Sequence, residues 1–268
     1  MNFISHCDTP LLRVAYLNGG PQDGAPVVLL HGWPDDATTY ARISPVLHEA
    51  GFRTFSPWLR GFGPTSFLSK EIMRSGEIAA MAQDVLDFAD ALGLSRFVVV
   101  GHDWGARISY LLASVFPDRI KCCAALSLGW QPGKPATPSP KQAKAFWYQW
   151  FMATARGAEF VRKNGKEFAR SQWDTWSPLG WFDDAIFDAV ILRKPGLGGC
   201  DAAFLPGSLG RGRARSSLCR ARSPADIGED YHGANPDASR WRRPRCLSTV
   251  FRGTGAAFYR ALQAGAAG

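Results

Sequence analysis

The sequence predicts an α/β fold over its first 130 residues, followed by a helical, lid-like unit. Three observations carry this. Short apolar runs rich in Val and Leu alternate with stretches of helical periodicity. Gly and Pro punctuate the junctions between them. One such junction reads Gly101-His102-Asp103-Trp104-Gly105, directly after an apolar strand and directly before a helix.

In chain order, Leu11–Leu17 is expected as an edge strand, ended by Gly19-Gly20-Pro21. Val27-Val28-Leu29-Leu30 suits a buried central strand and runs into His31-Gly32-Trp33-Pro34. Tyr40 to Glu49 predicts a helix with Ile43, Leu47 and Ala50 on one face, and Phe52–Phe55 a strand closed by Pro57. Ser75 to Leu92 has the strongest helical pattern. Ile78, Met81 or Ala82, Val85, Ala89 and Leu92 form its apolar side, Glu77, Gln83, Asp84, Asp87 and Asp90 its polar side, and Gly93 terminates it. Phe97–Val100 is a buried strand, Gly105–Val115 a helix ended before Pro117, and Lys121–Leu128 a further strand.

Composition divides the chain into 1–130, 131–195 and 196–268. Four prolines fall within 131–140, and aromatic-rich helical stretches follow. From 196 onward Leu, Ile, Val and Phe make up 11 of 73 residues, too few for an ordinary folded domain, so a degraded or disordered end to the sheet is expected. The net charge of +8 is uneven, with +2 from 1–195 and +6 from the arginine-rich remainder. No basic stripe or zinc-finger spacing organises those arginines, so no nucleic-acid partner is expected. The six cysteines lack metal-ligand spacing, and neither a metal nor a cofactor is implied. The first residues lack the pattern of a secretory leader, and no run of eighteen apolar residues exists to span a membrane. A cytoplasmic setting is the expectation; nothing in the sequence specifies an oligomeric state.

The chemistry concentrates at Asp103. A turn this tight needs glycine two places to either side, at Gly101 and Gly105, and lifts the central side chain above the sheet at the positive end of the following helix. That helix end is expected to keep the carboxylate ionised. Backbone N–H groups of Trp104 and Trp33 are placed to bind developing negative charge. A carboxylate nucleophile suits displacement at saturated carbon, giving an alkyl ester that water then hydrolyses. The bland alternative is that Asp103 only caps the helix.

With these motifs in view, the sequence resembles the epoxide hydrolase and haloalkane dehalogenase branch of the α/β-hydrolase superfamily. The resemblance rests on His31-Gly32-Trp33-Pro34-Asp35, Leu59-Arg60-Gly61-Phe62-Gly63 and Val98 to Arg107, in order over residues 11–130. It implies an α/β-hydrolase fold with a helical cap, Asp103 as nucleophile, and His31, Gly32 and Trp33 shaping the oxyanion site. Phe146-Trp147-Tyr148-Gln149-Trp150-Phe151 is similar to the cap segment of epoxide hydrolases in which a tyrosine hydroxyl holds the epoxide oxygen, which implies that role for Tyr148. Trp104 could bind a leaving halide through its indole N–H, or simply match the epoxide enzymes. Trp58 departs from the family, which has an acidic residue there.

The second half-reaction needs a histidine base oriented by a carboxylate. Of His6, His31, His48, His102 and His232, only His232 comes late enough, with Asp237 as its candidate acid. The absence of a Gly-His after a late strand, with the arginine-rich composition, suggests that the reading frame or gene departs from the ancestral fold near 196. Three readings follow: a hydrolase opening epoxides of a small apolar electrophilic substrate, a haloalkane or haloacid dehalogenase, or a non-catalytic hydrolase-like protein.

Overall fold

The structure, a computed structural model, describes residues 4–129 and 137–191. Its sheet runs β1(Ile4–Asp8), β2(Leu12–Gly19), β4(Phe52–Pro57), β3(Ala25–Leu30), β6(Phe97–His102), β7(Ile120–Leu126), with the short β5(Ser66–Phe67) pairing β2. The β1–β2 and β2–β4 pairs are antiparallel; β4–β3, β3–β6 and β6–β7 are parallel. Between the strands lie a 3-10 turn (Ala37–Tyr40), α1(Ile43–Glu49), α2(Ile78–Ala91) and α3(Trp104–Val115).

The central strands are apolar on both faces because both faces are covered. Val28, Leu30 and Val99 join the α2 and α3 side, with Met81, Val85, Phe88, Ile108 and Leu112. Val27, Leu29, Val98 and Val100 face the other way, onto Tyr40, Ile43 and Leu47. At about 25 cal/mol per Å² of apolar surface removed from water, this two-sided burial is the main source of stability.

Several expectations are corrected in detail. The stretch expected as the edge strand is interior to the sheet, because β1 pairs along it from Ile4↔Leu17 to Asp8↔Arg13. Ile-Ser-His-Cys-Asp is too polar to announce itself as a strand; its backbone is recruited by an open edge. The first helix begins at Ile43 rather than Tyr40. Asp36 accepts the Thr38 N–H and caps the preceding 3-10 turn, which uses up residues 37–40. The long helix starts at Ile78, not Ser75.

Asp84, expected on the polar face of α2, is buried against Arg60 of the Leu59-Arg60-Gly61 run. The guanidinium grips both carboxylate oxygens and also donates to the carbonyls of Ser75 and Ala80 at 3.1 Å. Burial pushes the Asp84 carboxyl up, and Arg60 opposes it. This pair fixes α2 to the loop after β4.

Trp58 also finds a reason. It is fully buried, and its indole N–H donates to Asp36 Oδ2 at 3.1 Å, so an aromatic fills the position where an acid was expected.

After residue 137 come α4(Pro140–Ala145), α5(Trp147–Ala153), α6(Ala155–Trp176) and α7(Asp184–Ile191). A capping box starts α4: Ser139 Oγ accepts the Gln142 N–H, and Gln142 returns the bond to the Ser139 N–H. Trp173, Phe182 and Phe187 stack edge-on to join α7 to α6. The boundary expected at 130 falls outside the described residues, as do 196–268. No helix among the described residues is long and apolar enough to cross a membrane.

Candidate active site

Asp103 closes the turn between β6 and α3 with φ 53° and ψ −110°, a conformation that L residues rarely adopt. The neighbouring glycines are steric necessities. A Cβ on Gly101 would lie 2.0 Å from the Gly105 carbonyl oxygen, and one on Gly105 would lie 1.9 Å from that of Leu30. The turn therefore presses α3 onto β3, and Asp103 takes the backbone strain.

Apart from the N–H of Trp104 at its own shoulder, the carboxylate makes no capping bond to α3. Its Oδ1 accepts the backbone N–H of Trp33 at 3.1 Å, seventy residues away in sequence. Gly32 allows this approach, since a Cβ there would meet Asp103 Oδ1 at 2.7 Å. The simple helix-cap alternative does not describe this geometry.

Burial pushes the Asp103 carboxyl above its ordinary value; the N–H groups of Trp33 and Trp104 pull it back, helped by charges on His102 and Arg107. The stabilisation expected from the helix end therefore has the right sign, but lost hydration outweighs it.

His31 lies in the oxyanion loop with its ring buried. Its Nε2 accepts the Leu59 N–H at 3.0 Å, which assigns the proton to Nδ1, 2.9 Å from the Gly32 carbonyl oxygen. The ring ties the loop after β3 to the loop after β4; it is not aimed at a ligand. Tyr40 adds a second tie. Its hydroxyl donates to the Leu30 carbonyl at 2.8 Å and accepts the His102 N–H, joining the ends of β3 and β6 on which the site stands.

Tyr148, on α5, is brought to the same place. Its ring stacks on Trp33 with centroids 5.2 Å apart and planes 9° apart, and Trp176 packs edge-on to it at 5.0 Å. Gln149 Nε2 donates to the Tyr148 hydroxyl oxygen at 3.0 Å. Burial raises the Tyr148 pKa and the charge on Asp103 raises it further, so the phenol holds its proton. Its oxygen accepts from Gln149, so the hydroxyl proton is not used in that bond.

Sequence reasoning missed two participants. Gln149 was visible as the neighbour of Tyr148, but its bond was not. Arg107 is one helical turn beyond Asp103; its charge lowers the pKa of both Asp103 and Tyr148, and its guanidinium lies 5.8 Å from the Trp104 ring centroid.

Of the other histidines, His48 bonds Thr54 Oγ1 at 2.7 Å and His6 lies exposed on β1. His232 and Asp237 fall outside the described residues.

With the elbow, the oxyanion loop and the covering tyrosine in place, comparison with known proteins becomes informative. The family model for the alpha/beta hydrolase fold matches residues 25–185, more than half of the chain. The chain belongs to that family.

Within the alpha/beta hydrolase fold, it is similar to a solved Klebsiella pneumoniae protein described as a candidate epoxide hydrolase. The identity is 35% and the TM-score 0.72, covering 79% of this chain and 72% of that one. Epoxide hydrolase A of Mycobacterium tuberculosis is 34% identical over 133 residues, 49% of this chain and 40% of that protein. A haloalkane dehalogenase of Mycobacterium marinum is 34% identical over 121 residues, 44% of this chain and 39% of that protein. The chain thus spans well under half the length of the curated relatives it matches. Similarity to both enzyme types agrees with the branch that the motifs indicated.

Proposed function

We propose that this chain carries the alkylating half of an epoxide-opening hydrolase. The observation that carries the reading is the Trp33 N–H on Asp103 Oδ1 beneath the Trp33–Tyr148 stack. One carboxylate oxygen is held by the N–H, leaving the other to attack. The attacking oxygen forms a bond to a ring carbon, the ring C–O bond breaks, and the departing oxygen takes the Tyr148 proton. The product is an alkyl ester of Asp103. Water adds to the ester carbonyl carbon, the N–H groups of Trp33 and Trp104 hold the oxyanion, and release of the diol leaves a solvent oxygen on Asp103. That second step needs a base, for which His232, oriented by Asp237, is the proposed source. The substrate is a small apolar electrophile. The similarity to epoxide hydrolases, in one relative over 175 residues and in one solved structure over 79% of this chain, supports this reading.

The test is single turnover of the full-length protein with styrene oxide in heavy-oxygen water, followed by mass spectrometry of the peptide containing residue 103. Labelled oxygen in Asp103 or a trapped alkyl ester is expected, and neither should form in Asp103→Ala. Diol whose new oxygen comes straight from solvent would overturn the mechanism.

A second reading, dehalogenation of a haloalkane or haloacid, draws on the similarity to a haloalkane dehalogenase and on Trp104 beside the nucleophile. It predicts halide release from a halogenated substrate and no diol from an epoxide. A non-catalytic, ligand-binding role predicts neither product.

A further inference from the structure

Two buried side-chain polar atoms have no hydrogen-bond partner among the described residues, Gln172 Oε1 and Trp173 Nε1, and the mechanism uses neither. Gln172 is 1% exposed, and its Oε1 has no hydrogen-bond partner among the described residues. A sealed acceptor without a donor is destabilising, and native structures tolerate few of them.

Its position in the fold is informative. Phe168, Gln172 and Trp176 are spaced four residues apart on α6, so they form one stripe along the helix. Phe168 lies 5.8 Å from the Trp33 ring and Trp176 lies 6.1 Å from it; Trp176 also meets Tyr148 at 5.0 Å. Gln172 is the polar residue between two rings that both close on Trp33. Trp173 Nε1, also without a partner among the described residues, belongs to the next stripe, among Phe182 and Phe187.

We propose that Gln172 is a specificity-determining residue whose amide oxygen accepts a hydrogen bond from a neutral hydroxyl or amide N–H carried by the substrate. The aromatic walls of Trp33, Tyr148, Phe168 and Trp176 take the apolar body of that molecule, and Gln172 reads its one donor. The preferred substrate is therefore an apolar electrophile with an added hydroxyl or amide. This naming of the substrate class rests on the proposed nucleophilic role of Asp103, but the binding site can be tested without any reaction.

The test is titration of the full chain with benzyl alcohol and with toluene, followed by tryptophan fluorescence, in the wild type and in Gln172→Met. Methionine keeps the length of the side chain and removes the unpaired acceptor. The variant should bind benzyl alcohol about tenfold more weakly, the worth of one neutral hydrogen bond, and toluene as well as before or better. The ligand-free variant should melt no lower than the wild type, since a sealed acceptor has gone. Equal changes for both ligands, no change for either, or no binding to the wild type would overturn the proposal. Gln172→Leu repeats the comparison if the methionine variant fails to fold. Loss of Asp103 alkylation with the alcohol preference intact would remove the reaction and leave the subsite standing.

Discussion

The indole of Trp33 lies flat on the ring of Tyr148, 5.2 Å between centroids, while the backbone N–H of the same tryptophan holds Asp103 Oδ1. One residue thus couples the proposed nucleophile to the proposed acid. The loop that binds the carboxylate also sets how the helical layer sits above it. Movement of α5 would be felt at Asp103 through this stack.

Replacing Tyr148 with Phe keeps the stack and removes the proton. Epoxide-driven alkylation of Asp103 should slow by about 10²-fold or more, a usual loss for a general acid. Displacement of halide, which needs no proton, should be nearly unaffected. Parallel single-turnover measurements with an epoxide and a haloalkane check this, and equal losses on both would show that the change is only one of packing.

The raised carboxyl pKa of Asp103 fixes the direction of its pH dependence. Alkylation should fail as pH drops through a value above the ordinary aspartate range. Arg107→Met removes a charge that lowers that pKa, so the acid limb should move to higher pH. A limb that stays in place would exclude Arg107 from the field at the nucleophile.

The same shift has a stability consequence. A carboxyl whose pKa is higher in the folded state binds its proton more tightly there, so its ionisation destabilises the fold as pH rises through the window between the two values. Asp103→Asn removes this charge and tolerates positive φ well. The variant should be more stable by about 1 kcal/mol, a few degrees in Tm, near neutrality. That advantage should vanish below the ordinary aspartate pKa, which thermal melts across pH will show.

Breaking the buried pair is a sharper stability test. Arg60→Met strands Asp84 without its partner and should cost about 3–5 kcal/mol. Adding Asp84→Leu should recover most of that loss. Urea denaturation of the single and double variants gives the coupling, and additive losses would mean that the pair contributes little.

Gly105→Ala places a methyl 1.9 Å from the Leu30 carbonyl oxygen, and no flexible side chain can yield there. A loss of at least about 3 kcal/mol is expected, seen as insoluble or weakly folded protein. A soluble variant with wild-type melting would mean that α3 can lift from β3, contrary to the close packing at the elbow.

Local sterics wrote the elbow into the sequence. Gly101, Asp103 and Gly105 constrain one another across five adjacent residues, so their spacing betrays the turn wherever it occurs. Two-sided burial similarly marked β3 and β6 through unbroken apolar runs. The family followed from those same motifs. Tertiary structure alone decided what depends on distant segments meeting. An aspartate on α2 is polar by composition, yet Asp84 is buried because Arg60 arrives from another loop to pair with it. The resemblance singled out Tyr148, but only folding lays its ring on Trp33, more than a hundred residues earlier. Gln172 looks like an ordinary helix residue, and only the rings closing around it leave its oxygen without a donor. Adjacent residues carry their own steric constraints, whereas desolvation and charge pairing belong to neighbours that the chain supplies only by folding.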